Sequence, residues 1–384
     1  MNETAAHVDP HVVALREELL AATGYYSANY FEARRRFLRA AGRLKLARHA
    51  LQIHAPSPND EPLTIDIAVA GAANPTTALV LSSGVHGVEA PFGSAVQLAF
   101  MEQTLSGWQL PAEAAVVLIH AINPFGYAWR RRFNENNVDL NRNFLLANEA
   151  YAGAPPLAGR FRNAMKLSRP RARFGFWSAR MVMLALQHGP SSIWETLPVG
   201  QYDYPDWLFF GGAGPSQSVH SLQNFLPTVL GEADDVAHLD FHTGLGHWAK
   251  GELLVSESEG LENCDWWRDH LGADNVTQVK SFTKSYEVRG GFGPWLRALF
   301  PNCDYRYATA EFGTYSAIRV ISALAEESRW HSELGTNSIG HESRRRLAET
   351  FAPQSRSWRT KTLKTALEWT AQAARALWKR DYAA

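Results

Sequence analysis

Two apolar runs of the sequence end in residues that can bind a metal ion. The run 77–82 is followed by His86 and Glu89, and the run 236–241 is followed by His242. An imidazole and a carboxylate three residues apart can reach one Zn²⁺ from a single turn, and a catalytic zinc needs a third ligand and an open position for water. His242 is the candidate for that third ligand. The spacing alone equally fits a helix-capping Glu89 beside a polar turn histidine.

The sequence carries further polar motifs in a fixed order around these residues. They are Asn123-Pro-Phe-Gly126, three arginines at 130–132, Asp139-Leu-Asn141-Arg142-Asn143-Phe144 and Glu311-Phe-Gly-Thr314. Together with His86-x-x-Glu89 and His242, this order resembles the zinc carboxypeptidase superfamily of carboxypeptidase A-like metallopeptidases. The wording of the motifs is most similar to an uncharacterised bacterial subgroup of carboxypeptidase-like proteins, a domain of unknown function.

The resemblance implies a role for each residue that matches a motif. His86, Glu89 and His242 would bind one Zn²⁺ per chain, and Asp139 would hydrogen-bond a ligand histidine and so fix its tautomer. Glu311 would be the general base that takes a proton from the attacking water. As a plain strand-end residue, Glu311 would instead form a surface ion pair.

Two further motifs imply contacts with the substrate. Asn141 and Arg142 would hold a terminal carboxylate, a task that suits the planar guanidinium. Arg132 is our choice for the group that stabilises the oxyanion, although the spacing also allows Arg130 or Arg131. Tyr286, which opens Tyr286-Glu-Val-Arg-Gly-Gly-Phe-Gly-Pro-Trp295, resembles the mobile tyrosine of the digestive carboxypeptidases. The floor position of that motif is Gly293, so no charged residue there selects the substrate side chain.

The elements that must position these residues alternate between strand and helix. Apolar runs with helical segments between them predict an α/β fold, and the resemblance implies three α/β/α layers around a mixed, mostly parallel central sheet. We expect a single catalytic domain over 1–384. It would include an N-terminal helical segment (10–47), a helical or loop insertion (150–230) and a C-terminal helix (357–380). The insertion has no counterpart in the digestive enzymes, and we expect part of it to wall the cleft.

Composition excludes several classes of protein. The 384 residues are 46% hydrophobic, and 38 basic residues balance 38 acidic residues. This balance argues against binding to nucleic acid or to an anionic membrane surface. Two cysteines are too few for a disulfide framework, and no run is long enough for a membrane helix or a signal peptide. We therefore expect a cytoplasmic protein.

The sequence favours an enzyme but leaves its substrate open. The first hypothesis is a zinc-dependent hydrolase that cleaves a C-terminal peptide bond. The second is a deacylase of small N-acyl amino acids, like succinylglutamate desuccinylase and aspartoacylase, and the third is a non-catalytic binding module of the same fold. The expected partner is a short peptide or an acylated amino acid. The metal identity and the oligomeric state stay open.

Overall fold

The computed structural model describes residues 22–166, 180, 183–184, 186–193, 195–257, 260–279, 289–334 and 339–379. The strands in this part of the chain are β1 (Ala47–Ile53), β2 (Leu63–Gly71), β3 (Thr77–Ser83), β4 (Ala114–His120), β5 (Asp235–Gly244), β6 (Gly251–Ser256), β7 (Val276–Val279) and β8 (Asp304–Gly313). They form one sheet in the order β1-β2-β4-β3-β5-β8-β6-β7. The central pairs β3–β4, β3–β5 and β5–β8 are parallel, as is β6–β7, whereas β1–β2, β2–β4 and β6–β8 are antiparallel.

The apolar runs of the sequence become the centre of this sheet. Every residue of β4 is buried, and β3 and β5 are buried except at their first residues. Strands covered on both faces need apolar side chains at successive positions, because neighbouring side chains point to opposite faces. The edge strand β1 shows the opposite pattern, with its first four residues exposed.

Helices cover both faces of the sheet. They are α1 (Tyr30–Arg43), α2 (Ala90–Ala99), α3 (Pro124–Trp129), α4 (Ala158–Lys166), α5 (Gln217–Leu230), α6 (Leu261–Leu271), α7 (Phe292–Leu299), α8 (Ala317–Leu334), α9 (Glu342–Phe351) and α10 (Arg356–Trp378). One face packs against α2, α6 and α10. The other face packs against α3, α5 and α7. The predicted three-layer α/β/α class is therefore confirmed.

The predicted helical segments differ from the observed helices at their ends. Within the predicted segment 10–47, α1 begins after Asn29, whose side-chain oxygen caps the helix by accepting from the backbone N–H of Glu32. Residues 10–21 of that segment lie outside the described residues. The last helix ends at Trp378, because Lys379 adopts a left-handed conformation. After α2 the chain widens into a π-helical turn, Phe100–Thr104.

A third cluster of apolar side chains lies beside the sheet, in a region that the sequence did not predict. Helices α8 and α9 pack against each other. They share a buried cluster with α4 and with residues 197–209 of the insertion. None of the described helices is both long and apolar enough to cross a membrane.

Candidate metal centre and active site

Three parallel strands bring the predicted site residues to one edge of the sheet. His86 follows the carboxyl end of β3, and His242 and Glu311 lie near the carboxyl ends of β5 and β8, directly opposite each other in the strand register. In an open α/β sheet this edge is where ligands bind.

The turn that carries His86 and Glu89 depends on close backbone packing. A Cβ atom on Gly87 would lie 2.1 Å from the carbonyl carbon of Gly126, so only glycine allows this turn to contact α3. Asn123 connects the two segments. Its side-chain oxygen accepts from the N–H of Gly126 at 2.8 Å, and its amide group donates to the carbonyl of Arg132 at 3.0 Å. The Asn-Pro-x-Gly motif therefore places Arg132 next to the His86 turn.

His86, Glu89 and His242 form a compact, buried group. Their candidate ligand atoms all lie within 4.8 Å of one another. One carboxylate oxygen of Glu89 lies 2.9 Å from Nδ1 of His86, and the other lies 3.1 Å from Nδ1 of His242. Nδ1 of His86 is buried and forms no hydrogen bond within the protein. Two imidazole nitrogens and a carboxylate around one point are a donor set that Zn²⁺ prefers.

The other nitrogen of each histidine is bonded to a carboxylate. Nε2 of His86 lies 3.1 Å from Asp139, and Nε2 of His242 lies 2.6 Å from Asp240. Because an ionised carboxylate only accepts hydrogen bonds, these contacts hold a proton on Nε2, and Nδ1 is the nitrogen that would bind a metal ion in place of any proton it carries. The group therefore fits a divalent metal ion, with His86, Glu89 and His242 as its ligands.

The electrostatic surroundings also favour a positive charge at this point. Burial alone would lower the pKa of His242, but the charge of Asp240 and the hydrogen bonds to Asp240 and Glu89 raise it well above its usual value. Burial alone would raise the pKa of Glu89. The charges of His86 and His242 and their hydrogen bonds to Glu89 outweigh this effect and hold the pKa below its usual range. A bound cation would satisfy the same carboxylates.

Glu311 lines the same cavity as this group, and one of its carboxylate oxygens is bonded to the backbone. Its Oε1 accepts from the backbone N–H of Leu245 at 2.8 Å. Burial raises its pKa, and the negative charge of Glu89 raises it further, to about 7, although His242, Leu245 and Arg132 act in the opposite direction. A carboxylate with this pKa can both take up and release a proton near neutral pH.

Of the three candidate arginines, the structure brings only Arg132 to the metal-ligand group. Its guanidinium donates to Asp139 at 3.0 Å and to Glu89 at 3.1 Å. Its Nη2 also lies 2.8 Å from Nε2 of His86. Since a guanidinium only donates, that contact and the bond from His86 to Asp139 exclude each other. With Nδ1 of His86 as a metal ligand, its remaining proton would lie on Nε2 and would be donated to Asp139.

The neighbouring arginines are not among the residues that line the cavity. Arg130 ends α3 in a left-handed conformation. Arg131 is fully buried and donates to Glu327 at 2.8 Å.

Asn141 and Arg142 line the same cavity, but the guanidinium of Arg142 is already engaged. It donates to the backbone carbonyls of Asn141, Pro198 and Val199. Asn141 accepts from the N–H of Phe292 at 3.2 Å. Arg142 therefore ties the insertion to the site, and its contact with a substrate carboxylate stays a prediction.

The cavity has a volume of about 850 Å³ and extends from the metal-ligand group to residues of the insertion, of α8 and of α9. Its lining includes His86, Glu89, Arg132, His242 and Glu311. Gly293 also lines it, as the tyrosine motif implies, whereas Tyr286 itself lies outside the described residues.

Sequence reasoning missed two residues that position this site. Asp240 holds His242, and Asn123 holds the backbone of Arg132. The sequence did contain a pattern that indicates Asp240. Residues two apart on a strand lie on the same face, and Asp240 precedes His242 by two. Asn123 opens the Asn-Pro-x-Gly motif, but its contact with Arg132 joins segments nine residues apart across a turn.

Comparison with known proteins supports the fold. Over 92% of this chain and 98% of the other, the protein is similar to bovine thrombin-activatable fibrinolysis inhibitor solved with tick carboxypeptidase inhibitor, at 13% identity and a TM-score of 0.52. It is also similar to carboxypeptidase A from Helicoverpa armigera (13% identity, 90% and 82% covered, TM-score 0.45). A putative succinylglutamate desuccinylase/aspartoacylase from Shewanella frigidimarina matches at 16% identity, with 77% and 72% covered and a TM-score of 0.37.

The protein thus has the zinc carboxypeptidase fold, as the resemblance predicted. Residues 26–365 match the family described as a protein of unknown function, DUF2817, and the chain belongs to this family. The predicted likeness to an uncharacterised subgroup of the superfamily is therefore confirmed. Comparison with curated proteins finds no significant match.

Proposed function

We propose that this protein is a metal-dependent hydrolase, with Zn²⁺ as the expected ion, that cleaves an amide bond in a small substrate bearing a carboxylate. One observation carries the proposal. The buried His86, Glu89 and His242 present their ligand atoms to one point, and Glu311 lies beside them at the edge of a cavity. When bound there, a metal ion supplies Lewis-acid chemistry, which makes water more acidic and polarises a carbonyl oxygen.

The protein's own side chains have separate tasks in this reaction. Glu311, fixed by the N–H of Leu245, accepts the proton of the attacking water and passes it to the leaving nitrogen. Arg132 points its guanidinium at the metal-ligand group and stabilises negative charge on the carbonyl oxygen. Asp139 and Asp240 keep the two histidines in one tautomer.

The walls of the cleft support a small substrate. Leu197 and Pro198 of the insertion line the cavity, together with Val320 and Leu324 of α8 and Phe351 of α9. A folded polypeptide would have to pass these elements to reach Glu311. The observation favours short peptides and N-acyl amino acids over protein termini.

The test separates metal binding from chemistry. Metal content and turnover are measured for the wild type, His242→Ala and Glu311→Gln, with a panel of short peptides and N-acyl amino acids as substrates. We expect about one metal ion per chain in the wild type and in Glu311→Gln, and little in His242→Ala. Turnover by Glu311→Gln should fall by about 10²–10⁴-fold, since the general base is lost.

Glu252→Gln is the matched control. Glu252 lies opposite Glu311 on β6, and its carboxylate accepts from Thr277. This variant should keep both metal and turnover. Full metal occupancy in His242→Ala, or wild-type turnover by Glu311→Gln, would contradict the proposal.

A further inference from the structure

The lining of the cavity divides into two walls of different chemistry. The first wall is mixed and includes Asn141, Arg142, Ser256 and Thr309 together with Phe144 and Phe292. The second wall is apolar and consists of Leu197, Phe209, Val320, Ile321, Leu324 and Phe351. The side chains of the second wall belong to the cluster formed by α8, α9 and the insertion.

The apolar wall lies directly against the reacting groups. The ring of Phe209 lies 5.4 Å from the guanidinium carbon of Arg132. Gly244 follows His242 by two residues and lies between Phe351 and Glu311. A Cβ atom added to Gly244 would lie 3.0 Å from the ring of Phe351 and 3.6 Å from a carboxylate oxygen of Glu311. A group bound to this wall is therefore in reach of the same carbonyl that Arg132 and Glu311 serve.

The apolar surface continues from the cavity to the outside. Leu245 lines the cavity and is 49% exposed, and Ile318, one helical turn before Ile321 on α8, is 72% exposed. Trp248 is 44% exposed, and its ring lies 5.0 Å from that of Tyr315, just before α8. Exposed large apolar side chains that adjoin a cavity mark a surface for an apolar ligand.

The scissile bond divides a substrate into two halves, and the two walls can receive them. We keep the predicted place of the substrate carboxylate, at the wall with Asn141 and Arg142, and this leaves the wall formed by α8 and α9 for the acyl half. We infer that the acyl half is a large apolar group, and that the apolar wall selects it. This inference rests on the amide hydrolysis proposed above. A linear alkyl chain and a large apolar amino-acid residue offer the same chemistry.

The test compares substrates that share one amino acid and differ only in the acyl half. These are the N-acetyl, N-succinyl, N-octanoyl and N-acetyl-leucyl forms. Each buried methylene contributes up to about fourfold, equivalent to ~0.8 kcal/mol. We expect kcat/KM for the octanoyl or the acetyl-leucyl form to exceed that for the acetyl form by at least about 100-fold. Preference for octanoyl would identify an alkyl chain, and preference for acetyl-leucyl would identify a peptide.

A charge in the wall should abolish the preference. Ile321 is partly exposed, so an aspartate there can stay hydrated, and Ile321→Asp should lower kcat/KM for the favoured substrate at least about 10-fold more than for the acetyl form. Leu261→Asp, at an exposed position on α6 outside this cavity, is the matched control and should behave as the wild type.

Binding measurements separate this inference from the proposed function. Calorimetry with Glu311→Gln should show tighter binding of the favoured form than of the acetyl form, and Ile321→Asp should weaken it. Binding with this preference but no turnover by the wild type would overturn the hydrolase and keep the inference. Turnover that favours the acetyl or succinyl form would overturn the inference and keep the hydrolase.

Discussion

Asp139 and Asp240 bond the outward nitrogens of the two candidate ligand histidines, and they do so from different elements. Asp139 follows α3 in a loop, whereas Asp240 lies on the same strand as His242. Asp240 also accepts from Tyr307 at 2.9 Å and from Ser82 at 2.6 Å. Each buried oxygen of this carboxylate is thereby satisfied, so the orientation of His242 is fixed through three strands.

The role of Asp240 can be tested without removing a ligand. We expect Asp240→Asn to lower the affinity for Zn²⁺ by about 10–100-fold, because the amide no longer provides the charge that supports His242. The affinity is measured by competition with a chromophoric chelator.

Asp66→Asn is the control for this prediction. Asp66 is also a buried strand aspartate, but it is bonded to Arg34 at 2.9 Å and lies on β2. This variant should leave the metal affinity unchanged. Wild-type affinity in Asp240→Asn would show that Asp240 has no part in metal binding.

The sequence located most of this site, but the spacing of its motifs did not distinguish Arg132, our choice, from Arg130 and Arg131. Strand ends and motif order indicated His86, Glu89, His242 and Glu311, since the edge of a parallel sheet collects them. Spacing cannot tell which of three adjacent side chains faces inward. The fold makes that choice, since Arg131 is held by Glu327 and Arg132 reaches Asp139.

At the scale of elements, α8 and α9 are joined to the site by a buried ion cluster. Arg131 and Arg344 both approach Oε1 of Glu327, at 2.8 Å and 3.5 Å. All three side chains are buried. Burial and the positive charges of the two arginines lower the pKa of His331, which contacts Arg344, to about 3. Glu327 is therefore the anion that balances this cluster and fixes the apolar wall beside Arg132.

Removal of that anion should destabilise the protein strongly. We expect Glu327→Ala to lower the free energy of unfolding by about 3–5 kcal/mol, because two arginines would remain buried without their carboxylate. Denaturation by urea, followed by circular dichroism, measures the loss.

The neighbouring residue offers a matched comparison. Glu326 pairs with Arg346 at 2.7 Å near the surface, so Glu326→Ala should cost no more than about 1 kcal/mol. Losses of similar size in the two variants would contradict a structural role for the buried cluster.

The same cluster explains why α8 and α9 escaped prediction. The central strands could be predicted because each is a continuous apolar run that packs against other apolar strands. Each run therefore shows its burial without reference to a distant partner. In α8 the inward positions Val320, Ala323 and Leu324 have helical spacing, but Glu327 continues that face. A charged residue on an otherwise apolar helix face makes that face look solvent-exposed unless its buried partner is known. The partner of Glu327 is Arg131, which lies nearly 200 residues earlier.

At the scale of the whole molecule, the candidate metal centre concentrates charge in a chain whose net charge is zero. Glu89 belongs to the group, and Asp139, Asp240 and Glu311 surround it. Among the described side chains, Arg132 is the arginine that contacts the group directly. Carboxylates packed this closely repel one another in a medium of low dielectric constant. A divalent cation at their centre should therefore stabilise the folded protein as well as activate its substrate.

This stabilisation should depend on the concentration of free metal. An ion that binds the folded state alone adds about 2.7 kcal/mol to the free energy of unfolding at 100 times its Kd, and each further tenfold adds about 1.4 kcal/mol. The ion would join the turn after β3 to β5, so the gain should appear in unfolding of the whole sheet and not in a local step. Urea denaturation in zinc buffers of graded free concentration measures the dependence. The urea midpoints of His86→Ala and His242→Ala should not change with the zinc concentration. If the urea midpoint of the wild type did not change either, the buried carboxylates would be balanced by protons alone.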